Sequence, residues 1–140
     1  MNLQIDMKIV LHFAFLVFFV GSALGQSKAD AIFSVTLQMP KSVKQGEYRN
    51  LSAKIKNISG KEFSGMAVLE IISTENGRPI DGWFQNIFPQ QYFTIEGDKS
   101  GLVNFDVHVP YNVSTPVKCK VVVNVGQKMI SKEAIIKIQK

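Results

Sequence analysis

The sequence predicts an all-β sandwich of about seven to eight short antiparallel strands. Three observations predict it. Apolar and polar residues alternate in several segments, as in Leu51-Ser52-Ala53-Lys54-Ile55-Lys56, which is the period of a strand with one wet face. Gly, Pro, Asn and Asp recur between these segments at intervals that suit turns between short strands. No convincing amphipathic helix stands beside them.

The N-terminal segment stands apart from the fold. Lys8 precedes the apolar run Ile9 to Val20, and Gly21-Ser22-Ala23-Leu24-Gly25 follows it. A basic residue, an apolar stretch and a small-residue site in that order make a secretory signal peptide. Residues 1–25 are therefore expected to be removed on export to the periplasm or outside the cell. The apolar run is shorter than the about 20 residues of a membrane span, and an uncleaved anchor is the alternative. Residues 26–30 read as a short linker, and residues 31–140 as one domain.

Each strand follows from local chemistry. Ile32 to Leu37 is rich in β-branched and aromatic residues. Pro40 ends it, because proline cannot donate to a central ladder. Gln45-Gly46-Glu47 turns the chain into Tyr48 to Asn57, where Leu51, Ala53 and Ile55 face inward. After the turn Ile58-Ser59-Gly60-Lys61, a strand from about Phe63 to Ser73 puts Ala67, Leu69 and Ile71 on the core side. Glu75-Asn76-Gly77-Arg78-Pro79 is the clearest turn in the chain. Asp81 to Gln91 is looser and crosses one end of the sandwich. Tyr92 to Ile95 and Leu102 to Val109 follow, the latter with Val103, Phe105, Val107 and Val109 inward. Val117 to Val125 and Met129 to Gln139 are joined by the hairpin turn Gly126-Gln127-Lys128. Their number and spacing suit an immunoglobulin-like sandwich.

The chemistry-bearing residues are sparse. The formal charge of +5 comes mostly from Lys at alternating strand positions such as Lys54, Lys56, Lys118 and Lys120. They form no Arg-rich cluster with interleaved aromatics, so a nucleic-acid partner is not expected. Cys119 is the single cysteine; it leaves no internal disulfide and reads as a small buried thiol. His108, the only histidine outside the signal segment, alternates outward. It has neither a second ligand at zinc spacing nor a nucleophile elbow beside it. The carboxylates lie at turns and on wet faces, and nothing selects a pair of them. An enzyme, a cofactor and a metal are therefore not expected.

Asn50-Leu51-Ser52, Asn57-Ile58-Ser59 and Asn112-Val113-Ser114 match the N-glycosylation pattern, which matters only in a host that uses it. Trp83, Phe84, Phe88 and Tyr92, with Phe93 beside them, are the candidate interaction surface. They could stack on a sugar or a protein, while core and cap packing is the simpler reading of the same residues.

A set of motifs carries a family likeness. Met39-Pro40-Lys41-Ser42-Val43-Lys44-Gln45-Gly46-Glu47 leads into Leu51 to Ser59, followed by Phe63-Ser64-Gly65-Met66-Ala67-Val68-Leu69-Glu70. Gln91 to Glu96, Val103 to Pro110 and Cys119 to Val125 come next in the same order. Together they resemble a macroglobulin-like domain of bacterial alpha-2-macroglobulin homologues, the one preceding the thioester domain. The resemblance implies a β-sandwich fold and a structural or protein-interaction role related to protease inhibition. Its partner would be a protease or another envelope or macroglobulin component. Full family members trap proteases with a bait segment, often with a Cys-Gly-Glu-Gln thioester, and this chain contains neither. A trap made of this chain alone is not expected, because one sandwich cannot enclose a protease. An adhesin-like or carbohydrate-associated domain of the cell envelope is the alternative.

Overall fold

The computed structural model describes residues 31–83 and 89–140. The expected signal peptide and linker lie outside them, as do Phe84 and Phe88. Residues Phe33–Lys140 form one compact unit built from eight strands: β1 (Phe33–Gln38), β2 (Ser42–Lys44), β3 (Tyr48–Asn57), β4 (Phe63–Ser73), β5 (Gln90–Ile95), β6 (Ser100–His108), β7 (Val117–Val125) and β8 (Lys128–Gln139). They make a three-stranded sheet in the order β1-β3-β6 and a five-stranded sheet in the order β2-β8-β7-β4-β5. The chain is thus an all-β, immunoglobulin-like sandwich.

Burial follows the alternation. In β7, Val117, Cys119, Val121, Val123 and Val125 are buried and the residues between them are half-buried. From the smaller sheet, Phe33, Val35, Leu51, Ala53, Ile55, Val103, Phe105 and Val107 face the core. Ala67, Leu69, Ile71 and Ile136 meet them from the larger one. Two inner faces that each exclude water account for most of the stability of such a sandwich.

One pairing departs from the antiparallel pattern expected from the sequence. After the Pro40 corner the chain crosses to the other sheet, where β2 runs parallel to β8 through Ser42↔Lys137, Val43↔Ile138 and Lys44↔Gln139. Val43 is 2 % exposed, and burying it draws this short segment onto the sheet edge. The hydrogen bonds from Lys137 N to Lys41 O (3.0 Å) and from Gln45 N to Gln139 O (2.8 Å) extend the pairing. Gly46 then turns the chain with φ at 75°, a left-handed conformation that glycine adopts without steric cost. The Tyr111 ring lies directly over it, leaving no room for a side chain.

A polar clamp ties the two sheets together at one end. Asn57, at the end of β3, is fully buried. Its Nδ2 donates toward the carbonyls of Lys61 (2.8 Å), Ile95 (3.0 Å) and Glu96 (3.1 Å). Its Oδ1 accepts from the backbone N (2.9 Å) and the Oγ (2.7 Å) of Ser59. The sequence Asn57-Ile58-Ser59 is therefore a turn-building element of the folded chain, and its amide has no exposed position for a glycan.

Candidate interaction surface

The outer face of the five-stranded sheet is where the alternation rule breaks. β4 and β7 read as near-continuous apolar runs, Met66-Ala67-Val68-Leu69 and Val121-Val122-Val123. One set of residues must then face away from the core. Register places them side by side. Tyr92 of β5 pairs with Met66 of β4, which pairs with Asn124 of β7, which pairs with Met129 of β8. The adjoining row runs Gln90, Val68, Val122, Ser131. Tyr92 is 75 % exposed and Met129 66 %, while Met66, Val68, Val122 and Asn124 are half-buried. Tyr92, Met66, Val68 and Val122 make an apolar patch over three adjacent strands, with Asn124 set between it and Met129 and with Gln90 and Ser131 at its margin.

Charge borders the patch on one side. The next row is Glu70, Lys120, Glu133, and beyond it come Ile72, Lys118, Ile135. Lys118 Nζ lies 3.3 Å from a Glu133 oxygen, and Lys120 Nζ 3.9 Å from a Glu70 oxygen. These pairs are exposed and worth at most about 1 kcal/mol each. Their signs balance, so the face exerts little net attraction on a polyanion.

The residues singled out in the sequence divide between core and surface. Trp83 is fully buried, and its carbonyl accepts a hydrogen bond from His108 N at 2.9 Å. It belongs to the core, the simpler of the two readings, and cannot serve as a stacking platform, which removes it from the candidate surface; burying a large apolar indole is what places it there. Its Nε1 has no hydrogen-bond partner among the described residues. Phe93 turns inward, its ring edge-on to Phe63 with centroids 6.4 Å apart. Of the two candidates among the described residues, Trp83 and Tyr92, Tyr92 lies on a surface, beside Met66. Sequence reasoning missed Met66, Val68, Val122 and Met129. The available signal was the loss of alternation in β4 and β7, which marks a strand apolar on both faces.

His108 is half-buried between aromatic rings, with centroids 4.5 Å from Tyr48 and 6.0 Å from Tyr111. Asp106 lies two residues away on the same strand and accepts from Asn50 Nδ2 at 2.7 Å. An open cleft at one end of the sandwich is lined by Glu75, Arg78, Asp81, Asn112, Ser114 and Thr115 among others, without His108. Among the described residues no three His, Cys, Asp or Glu side chains are grouped to hold a metal. No helix among them is long and apolar enough to cross a membrane. Cys119 is fully buried, and burial pushes its thiol from 9.0 up to about 12, which leaves it protonated and a poor nucleophile at neutral pH.

The fold and this face define a class, the immunoglobulin-like β-sandwich with an apolar outer sheet face. No family model matches the chain, and no curated protein matches it. Solved structures share the fold. One is a chain from the complex formed between zinc 2-glycoprotein and prolactin inducible protein from human seminal plasma. It has a TM-score of 0.58 and 13 % identity, over 80 % of this chain and 99 % of that one. Another is a family 123 glycoside hydrolase from Clostridium perfringens that acts on glycolipid glycans, with a TM-score of 0.53 and 10 % identity over 77 % of this chain. The chain spans 27 % of that hydrolase, and at these identities the likeness is one of fold.

Proposed function

We propose that this chain is an exported, non-enzymatic macroglobulin-like module that holds another protein against the outer face of its five-stranded sheet. The observation that carries this reading is the apolar set Tyr92, Met66, Val68 and Val122, side by side across three strands with Met129 beyond Asn124, where one wet face was expected. Single exposed apolar residues are ordinary, whereas a contiguous patch with a polar rim has the composition of a protein interface. Methionine adds a side chain that adapts to a partner's contours. The macroglobulin-like assignment and the link to protease inhibition rest on the order of motifs from Met39 to Val125. The likeness to a chain crystallised within a protein–protein complex agrees with a binding role for the fold.

The test is capture from the native envelope fraction by the exported chain, compared with the double variant Val122→Lys, Met129→Lys. Wild type is expected to recover a protease or a macroglobulin-type component that the variant loses, with both proteins equally folded by circular dichroism. Equal recovery by the two proteins, or recovery of glycan instead of protein, defeats the reading.

A further inference from the structure

We infer that β5 is a self-pairing edge, through which two copies of this chain join their five-stranded sheets into one continuous sheet. β5 pairs with β4 alone among the described residues. The register Val68↔Gln90 continues to Leu69↔Pro89, and Leu69 N donates to Pro89 O at 2.8 Å. In an antiparallel ladder, hydrogen-bonded pairs alternate with pairs that are not. Residues 89, 91, 93 and 95 therefore turn their backbone groups toward β4. Gln90, Tyr92 and Thr94 turn theirs outward, away from the sheet.

A second copy fits this edge better than it fits the others. Under a two-fold axis through Tyr92, Gln90 faces Thr94 of the second copy and Tyr92 faces its own counterpart, each pair able to exchange two hydrogen bonds. Self-pairing puts like residues opposite like, so a charge near the centre would repel itself. Gln90–Ile95 carries no charge. Of the other edges, β2 is flanked by Pro40, Lys41 and Lys44 and β6 carries Asp106 and His108, while β1, also uncharged, ends against the Pro40 corner. Six residues bury far less than a stable interface of about 800 Å² per partner. The dimer is accordingly weak and forms at high local concentration. This association uses backbone groups at the edge, whereas docking on the outer face uses side chains, and Tyr92 is the residue common to both.

Sedimentation of the exported chain over a micromolar-to-millimolar series tests it, with Thr94→Pro and Thr94→Val. Proline at an outward N–H costs no ladder bond, so Thr94→Pro is expected to melt like Thr94→Val, both having lost the hydroxyl contact with Ser64. It removes two hydrogen bonds from the dimer and should weaken it about thirtyfold. Thr94→Val loses the 2.8 Å hydroxyl contact with Ser64 but keeps the N–H, and should dimerise like wild type. Tyr92→Lys, which disturbs no ladder bond, places two ammonium groups together at the axis and should abolish the dimer at low salt. A wild type that stays monomeric throughout overturns the inference, as does a folded Thr94→Pro that dimerises normally. Val122→Lys, Met129→Lys should dimerise normally even where it loses its partner, which separates this result from the outer-face test.

Discussion

Replacing Asn57 by alanine should remove more stability than any surface change in this chain. The side chain is fully buried and bonds to four residues, Ser59, Lys61, Ile95 and Glu96. Alanine does not leave them equally exposed to loss. The Lys61 carbonyl can take the Ser59 hydroxyl proton, 2.9 Å away, and the Glu96 carbonyl keeps the Lys99 N–H at 3.2 Å, whereas the Ile95 carbonyl is left only with its ladder position opposite Phe63. The two protons of the amide supply about two net hydrogen bonds at about 1 kcal/mol each, and the lost acceptor at Ser59 N adds about 1 kcal/mol of turn stability. The sum is about 3 kcal/mol, a large part of the roughly 5–15 kcal/mol of a typical domain. At about 4 °C per kcal/mol the midpoint should fall by roughly 12 °C. Urea unfolding followed by circular dichroism should show a lower midpoint at an unchanged slope. Asn57→Asp keeps the size and the bonds to Ser59 but turns an oxygen toward three carbonyls, so it should cost at least as much. A loss below about 1 kcal/mol for either variant would refute the clamp.

Two further outcomes follow from burial. With its thiol pushed up to about 12, Cys119 should resist alkylation in the folded protein at pH 8 and react once urea unfolds it. The exposed thiol of the unfolded chain loses its proton from about 9.0 upward while the buried one keeps it, so its contribution is intact below 9.0 and is lost as pH rises toward about 12. Cys119→Ala should flatten that alkaline decline, and rapid labelling of the native state would contradict it. Trp83 is the only tryptophan and fully buried, so native emission should be blue-shifted and barely quenched by acrylamide. Strong quenching before unfolding would show that the indole is exposed after all.

Much of the fold was legible because alternation is a local property. The inward sets Leu51, Ala53, Ile55 and Val103, Phe105, Val107 are buried as their spacing implies, since a pleated strand sends successive side chains to opposite faces. Pro40, Gly46 and Gly126 mark corners for equally local reasons. The site was less legible. Trp83 carried two readings in the sequence, stacking surface and core packing, and the packed core decides for the second. Met66 and Met129 are more than sixty positions apart, and each alone looks like an ordinary exposed residue.

By itself, the sequence determined that this is an all-β chain, which side of each long strand is apolar, and where the chain turns. Tertiary structure alone decided which strands are neighbours: β2 parallel to β8, β7 between β8 and β4, and β5 at an edge. Side-chain period reports the face of a strand and carries no information about the strand beside it. Pairing is chosen by the joint burial of two inner faces over long stretches of chain. That choice brought Tyr92, Met66, Val68, Val122 and Met129 onto one surface.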